Sequence, residues 1–210
     1  MSSLFDKQSW QYGYEQALSL ASQELGDTTD IIGLCRRSGA RLNSRGDILI
    51  DYLSHTYCIT YPEVSISLIG SKEDVPIKER ILILHYLLTA KGTPLSGRPV
   101  TFREIPGGAN YFAVFQKRAI KPLVDFFGKN PPAMVANAER IGGRRADFGD
   151  AAATFDAFPR VPVTFVLWRG DEEFSAEGSV LFDASVSDYL SSYALTELCE
   201  SIVWKMLKAK

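Results

Sequence analysis

The amino-acid sequence predicts an α+β protein in which antiparallel β-hairpins pack against amphipathic helices. Several stretches repeat apolar residues every three or four positions, which is typical of helices with one buried face. Other stretches are short, rich in β-branched and aromatic residues, and bounded by glycine or proline, which is typical of strands. Because 210 residues can bury a substantial core, we expect a single domain over residues 1–210.

The helices are predicted from the apolar repeat and from the turn residues that end it. The longest are expected at residues 4–25, 77–90 and 193–207. Shorter helices are expected at residues 29–37, 111–121, 122–127, 133–141 and 186–190. We expect a break at Pro122, because proline has no N–H to donate to the preceding turn.

The strands are predicted in two groups. Residues 40–61 read as a small antiparallel meander around the turn Ser44-Arg45-Gly46. The second group is a hairpin with one strand over Val161–Trp168 and a return strand over residues 179–182. The first of these strands carries no charge, so we expect it to be buried on both faces. A weak sequence similarity between residues 61–68 and 158–165 suggests an internal duplication of about 40–92 and 144–207.

Composition narrows the class of protein. The formal charge of −2 argues against a dedicated nucleic-acid binder, which normally has a basic excess. No apolar run reaches the roughly 18 residues that a membrane helix needs, and no signal peptide is evident. Cys35, Cys58 and Cys199 lie far apart, outside any Cys-x-x-Cys spacing, so we predict no metal site and expect a reducing cytoplasm.

An acidic cluster lies in the central hairpin, at Asp171, Glu172, Glu173 and Glu177. If two of these carboxylates converged in a pocket, their repulsion would raise one pKa and make an acid/base pair. The enzyme hypothesis therefore uses Glu172 and Glu173, with His85 as a further acid/base candidate on its helix. The alternative is a hairpin tip whose charges face solvent.

A second candidate site lies where Gly107-Gly108 precedes a helix. Glycine lets a ligand approach the backbone closely, and a helix N-terminus favours negative charge. We therefore predict an anion-binding site built from these residues: Arg103, Gly107, Gly108, Tyr111 and Arg118, with Trp168 and Asp171 from the central hairpin. The sequence matches neither a Walker A loop nor a GxGxxG motif, so a plain tight turn is the alternative.

Three stretches together resemble a known family, the domain of unknown function 3786 of anaerobic bacteria and archaea. They are ILILHYLLTA (81–90), VTFREIPGGANYFAVFQKRAIKPLVDFF (100–127) and residues 158–183, with the combination FRE-x-PGG-x-x-Y, FPR-x-P and W-x-GDEEF. Ser175 stands where the family is expected to favour proline. The resemblance implies a cytoplasmic protein of anaerobes, associated with one-carbon and corrinoid metabolism, and it supplies no catalytic residue.

Three hypotheses about function follow. The first is a ligand-binding or accessory protein that takes an anionic small molecule, with a tetrapyrrole or corrinoid as the partner implied by the resemblance. The second is the enzyme described above, and the third is a protein-interaction module. No Ser/His/Asp arrangement and no metal-ligand spacing is present, which favours the first hypothesis. Neither a cofactor nor an oligomeric state can be named from the sequence.

Overall fold

The computed structural model describes residues 4–170 and 173–209, with side chains from residue 12 onward. It contains helices and two antiparallel sheets, which confirms the α+β prediction. Backbone contacts divide the chain into two compact units, one of Met1–Asp51 and His55–Gly92, the other of Tyr52–Ser54 and Thr93–Lys210. Two compact units can fold as one cooperative domain, so the single domain and the internal duplication stay predictions.

The first unit combines three helices with a small sheet. The helices are α1 (Leu4–Gly26), α2 (Ile31–Ser38) and α3 (Ile77–Thr89). The strands pair in the order β1-β2-β3-β4: Arg41–Leu42, Ile48–Tyr52, His55–Ile59 and Ile66–Leu68. The predicted turn is confirmed, because Gly46 has φ = +88° and the Asn43 side-chain oxygen accepts from the Arg45 and Asp47 N–H groups at 2.8 and 3.0 Å.

The second unit contains a five-stranded sheet in the order β5-β9-β8-β7-β6, with every described pair antiparallel. Its strands are β5 (Pro99–Thr101), β6 (Arg144–Ala146), β7 (Ala151–Phe158), β8 (Val161–Trp168) and β9 (Glu177–Asp183). The predicted bounds of β8 are confirmed to the residue. The return strand is longer than predicted, and β7 was not predicted.

The two faces of this sheet differ. On one face, Val163, Phe165 and Leu167 are fully buried. On the other, Thr164 is half-buried and its hydroxyl lies 2.7 Å from that of Thr154 on β7, while Trp168 is 42% exposed. Val166, on the same face as Thr164 and Trp168, is nevertheless fully buried. The expectation that β8 is buried on both faces therefore holds at Val166 and is wrong toward the Trp168 end. The reason is that the sheet is antiparallel, and such sheets commonly cover one face only.

The helices of this unit are α4 (Gly108–Phe115), α5 (Lys121–Phe127), α6 (Pro131–Arg140) and α7 (Ser192–Lys208). A π-helical turn, Gln116–Ile120, joins α4 directly to α5. The Lys121 N–H donates to the Gln116 carbonyl, five residues back. The predicted break at Pro122 is therefore wrong, since the wider turn absorbs the proline's missing donor within one continuous helical run, 108–127. Residues 186–190 form only a 3₁₀ turn, Val186–Asp188. Among the described helices, none is long and apolar enough to cross a membrane.

Candidate functional site

The Gly107-Gly108 pair forms the tight turn that starts α4. Before it lies a 3₁₀ turn, Phe102–Glu104, in which the Glu104 carboxylate accepts hydrogen bonds from the Thr101 N–H at 2.7 Å and the Thr101 hydroxyl at 2.8 Å. The Gly108 N–H then donates to the Ile105 carbonyl at 2.9 Å. Gly107 has φ = +75°, a conformation that favours glycine. A Cβ on Gly108 would stand 1.7 Å from the Phe102 carbonyl oxygen. Backbone geometry alone therefore demands both glycines.

The structure brings four predicted ligand-binding residues together at this helix end: Arg103, Gly107, Gly108 and Tyr111. The Arg103 guanidinium carbon lies 3.6 Å from the centre of the Phe112 ring. The Tyr111 ring lies 6.3 Å from that of Tyr193, in the first turn of α7. The α4 and α7 N-termini are thus neighbours, and their dipoles favour negative charge nearby. Anion binding here stays a prediction.

Arg118, the fifth residue of that prediction, lies elsewhere. It belongs to the π-helical turn, and its Nη2 donates to Glu197 Oε1 at 2.6 Å and to Glu200 Oε2. Burial by itself lowers the pKa of Arg118, but the hydrogen bonds to Glu200 and Glu197 outweigh it and the pKa is raised. Both carboxylates come from α7, so Arg118 ties the helical run 108–127 to α7.

The structure describes only part of the acidic cluster in the central hairpin. Asp171 and Glu172 lie outside the described residues, and Glu173 is exposed. Trp168 leans over Gly149, where a Cβ would stand 3.2 Å from its indole Cε2. His85 is half-buried on α3 of the first unit, and its carbonyl accepts from the Thr89 hydroxyl at 2.6 Å. The acid/base roles of Glu172, Glu173 and His85 stay predictions.

A cleft of about 440 Å³ lies between the helical run 108–127 and the start of β9. We call it the Lys117 cleft. One wall is a continuous helical stripe of Ala113, Gln116, Lys117, Ile120, Lys121, Val124 and Asp125. The opposite wall is Ala176, Glu177 and Gly178, at the end of the acidic cluster. The cleft is therefore flanked by the two segments that the sequence singled out. Of the residues named there, Glu177 of the acidic cluster lines it, and none of the residues predicted to bind a ligand or to act as acid or base does.

Of the charged side chains that line the Lys117 cleft, one cationic side chain is not neutralised by an ion pair. Lys121 pairs with Asp125 at 2.7 Å across one helical turn. Lys117 is exposed and makes no hydrogen bond or ion pair with any described residue. Glu177 pairs with Trp168 across the β8–β9 ladder, so by strand alternation its side chain lies on the sheet face away from the helices. The cleft therefore presents Lys117 beside the aliphatic side chains of Ile120 and Val124.

Sequence reasoning missed this wall although its spacing was visible. The lining residues repeat at three- and four-residue intervals from Ala113 to Asp125, which is one face of a helix. Because this face mixes two lysines with aliphatic residues, a half-exposed helix face could have been predicted from the sequence. The strand wall could not be predicted from the sequence, because it depends on how β9 approaches the helix in three dimensions.

Sequence reasoning also missed a buried carboxylate, Asp183, which is 9% exposed at the end of β9. Its Oδ1 accepts from the N–H and hydroxyl groups of Ser96 and Ser185, and its Oδ2 accepts from the Gly97 N–H at 2.7 Å. Burial raises the pKa of Asp183, but these hydrogen bonds outweigh it, and the net pKa is well below its usual range. Asp183 therefore clamps residues 96–97 onto the sheet.

A second groove, of about 280 Å³, lies between α6 and the β6–β7 hairpin. It is lined by Pro132, Val135, Ala136, Glu139, Arg145, Asp150 and Ala151. The neighbouring Arg144 forms an exposed ion pair with Asp156 at 3.2 Å, which contributes little to stability. No group of three or more metal-ligating side chains comes together in the described part of the chain.

The comparisons with known proteins give one match. The family model described as a domain of unknown function, DUF3786, matches residues 30–205. No curated protein and no solved structure matches the chain. The matched region takes in the diglycine turn, the helical run, the central hairpin and α7 up to residue 205. The chain belongs to the DUF3786 family.

Proposed function

We propose that this protein is a non-catalytic binding protein whose Lys117 cleft receives a ligand with an anionic group and an apolar portion. One observation carries the proposal: Lys117 has no partner among the described residues and stands beside an aliphatic stripe inside a cleft. A volume of about 440 Å³ lies within the range of small-molecule sites. Lysine commonly binds phosphates or carboxylates as a point charge.

The helical wall adds a second argument. A π-helical turn inside a helix is rare and is frequently found at functional sites. Here that turn supplies Gln116, Lys117 and Ile120 to the cleft. The amide of Gln116 can donate or accept a hydrogen bond, so it suits a carboxylate or a peptide group. The turn thereby places a charge, an amide and an aliphatic side chain along one short wall.

The finer parts of the proposal concern compartment and ligand identity. Cys35, Cys58 and Cys199 are free thiols, which is consistent with action in a reducing cytoplasm. A tetrapyrrole or corrinoid carries carboxylate or amide edges and an apolar face, so it belongs to the proposed ligand class. An absorption spectrum of protein purified without oxygen tests it, because a Soret or corrin band would identify that ligand.

The test of the proposal is an NMR titration of the ¹⁵N-labelled protein with hexanoate, which combines a carboxylate with an aliphatic tail. Hexylamine and hexanol serve as cationic and neutral probes of the same length. We expect saturable shifts for hexanoate, confined to the residues that line the Lys117 cleft. Hexylamine and hexanol should bind more weakly, because Lys117 repels the first and gains nothing from the second.

The matched variants are Lys117→Ala and Lys129→Ala. Both lysines are exposed, and Lys129 lies outside the cleft. Hexanoate binding should be lost in the first variant and kept in the second. The proposal is wrong if hexanoate produces no saturable shifts, or if both variants bind it as the wild type does.

A further inference from the structure

We infer that the groove between α6 and the β6–β7 hairpin binds a free amino acid with one carboxylate and two ammonium groups, such as lysine. This groove lies at the β6 edge of the five-stranded sheet, whereas the Lys117 cleft adjoins β9. Its volume of about 280 Å³ is just below the range of sites for drug-sized ligands, so it suits a smaller molecule. The inference goes beyond the proposed function and does not depend on it.

One wall of the groove is a face of α6, which we call the α6 stripe. Its residues follow one another at three- and four-residue spacing and therefore share one side of the helix: Pro132, Val135, Ala136 and Glu139. The first three offer apolar surface, and Glu139 stands in the last turn of the helix. A ligand lying along this stripe would place one end beside a carboxylate, where the helix dipole also favours a cation.

The opposite wall comes from the sheet and carries Arg145 on the side that faces α6. The Gly143 N–H donates to the Ala138 carbonyl at 2.8 Å, so the end of α6 lies beside the start of β6. A Cβ on Gly143 would stand 3.0 Å from that same carbonyl oxygen and 2.8 Å from Phe155 Cε1, so α6 covers the sheet face of Phe155. Arg145 is paired with Ala153, two residues before Phe155, and therefore shares this face.

The charged side chains of this groove are not neutralised within the described part of the chain. Arg145 and Glu139 are exposed, and neither side chain makes a hydrogen bond or ion pair with any described residue. Asp150 forms no ion pair with a described residue either, but its position is fixed, because its Oδ2 accepts from the Arg169 N–H at 2.7 Å. Asp150 lies three residues before Ala153, the partner of Arg145, which separates the two by about 10 Å along the strand.

One cation and two anions are the complement of a diamino acid. The carboxylate of lysine would meet the Arg145 guanidinium, which can bind it in bidentate fashion. The α-ammonium would meet Glu139, at the helix end beside the start of β6. The side-chain ammonium would reach Asp150, which is farther along the strand, with the aliphatic carbons against the α6 stripe. A neutral or acidic amino acid would leave a carboxylate of the groove without a counter-ion.

The experiment is an NMR titration of the ¹⁵N-labelled protein with L-lysine and with three probes that each lack one of its charged groups. Cadaverine lacks the carboxylate, 6-aminohexanoate lacks the α-ammonium, and norleucine lacks the side-chain ammonium. Three variants remove the matching protein charges: Arg145→Ala, Glu139→Gln and Asp150→Asn. The last of these keeps a side-chain oxygen that can accept from the Arg169 N–H.

We expect lysine to give saturable shifts of the amide signals of residues 132–139, 145 and 150–151. It should bind about threefold or more tightly than each probe, because each probe loses one ion pair between exposed groups. Each variant should weaken lysine by a similar factor, yet should not weaken the probe that lacks the partner group. Arg145→Ala should therefore leave cadaverine binding at least as tight as in the wild type.

Arg144→Ala is the matched control, because this neighbouring arginine is exposed and pairs with Asp156 at 3.2 Å on the other sheet face. It should leave lysine binding unchanged, as should Lys117→Ala. The inference is overturned if lysine gives no saturable shifts at the groove, or if norleucine binds as tightly as lysine. It is also overturned if Arg144→Ala weakens lysine as much as Arg145→Ala does, or if lysine binding is lost in Lys117→Ala.

Discussion

Lys117 and Arg118 are adjacent basic residues on one π-helical turn, yet they do different things. Arg118 points to α7, where Glu197 and Glu200 receive its hydrogen bonds. Its side chain is 22% exposed, and the two carboxylates are 13% and 24% exposed. Lys117 points to a cleft and has no partner among the described residues.

The difference teaches that the surroundings of a basic residue decide whether it can bind a ligand. Arg118 has the chemistry of an anion site, but its Nη2 already donates to two carboxylates, which neutralise its charge. Removing it would leave those partly buried carboxylates without the cation that they share, which is costly. Lys117 can be removed without leaving a buried charge behind. One turn therefore separates a structural face, toward α7, from an available face, toward the cleft.

The largest expected effect tests whether the start of the helical run is fixed. Gly108→Ala would place its Cβ 1.7 Å from the Phe102 carbonyl oxygen, so the backbone must move. We expect a loss of at least about 3 kcal/mol in the free energy of unfolding, measured by urea denaturation. Gly107→Ala is the control, because it strains a positive φ and brings its Cβ only to 3.2 Å from the Ser192 hydroxyl oxygen, so it should cost about 1 kcal/mol. Equal costs would show that the close approach to Phe102 is unimportant.

Arg118→Ala removes the ion pairs between the π-helical turn and α7. We expect unfolding to become easier by about 2–4 kcal/mol, because Glu197 and Glu200 lose their shared cation while partly buried. Arg118→Lys should recover part of this loss, since it restores the charge without the forked geometry. Urea denaturation measures both variants. An Arg118→Ala protein as stable as the wild type would remove the distinction between the two faces.

Asp183 extends the comparison to a second charge whose partners are already in place. In Asp183→Asn, an amide donor can face the Gly97 N–H, which now donates to Oδ2. We expect a loss of about 2 kcal/mol at neutral pH, again by urea denaturation. The folded pKa of Asp183 is lowered, so its stabilisation is present above the unfolded value and is lost as the pH falls below about 4.

The pH dependence provides the control for that variant. The stability difference between wild type and Asp183→Asn should shrink as the pH is lowered from about 5 to about 2. A difference that stays constant over this range would mean that the ionised carboxylate is not the group that clamps residues 96–97.

A smaller effect tests the close contact between β9 and the helix at one end of the Lys117 cleft. Gly178→Ala would bring its Cβ within 2.8 Å of Val124 Cγ2, a side-chain atom that can give way. We expect a cost of about 1 kcal/mol and a narrower cleft. The double variant Gly178→Ala with Val124→Ala should recover stability relative to Val124→Ala alone. If it does not, the close contact between strand and helix is not what Gly178 provides.

Sequence patterns predicted those parts of the fold that depend on local residues. The β8 bounds and the long helices followed from apolar periodicity, which records a buried face within one segment. The strand β7 was missed because its sequence, AAATFDAF, begins with alanines, which are depleted in strands. It becomes a strand because it pairs along its length with β8, and no local propensity records that pairing.

The candidate site was harder to predict, for the same reason. The diglycine turn was recognised because glycine next to a helix start is a local signal. The pairing of Arg118 with Glu197 was not, because the two residues are 79 positions apart in sequence. The wall formed by Ala176, Glu177 and Gly178 likewise arises from the approach of a strand to a helix more than fifty residues earlier. Contacts between residues far apart in the sequence therefore determine which of the two neighbours, Lys117 or Arg118, has no partner among the described residues.

The most direct test of this account measures two quantities, the hexanoate dissociation constant and the free energy of unfolding, in Lys117→Ala and in Arg118→Ala. The account predicts opposite results for these neighbours. Lys117→Ala should lose hexanoate binding while its unfolding free energy stays within about 0.5 kcal/mol of wild type. Arg118→Ala should lose stability while its folded fraction still binds hexanoate. The account is contradicted if Lys117→Ala binds hexanoate normally, or if it is destabilised as strongly as Arg118→Ala.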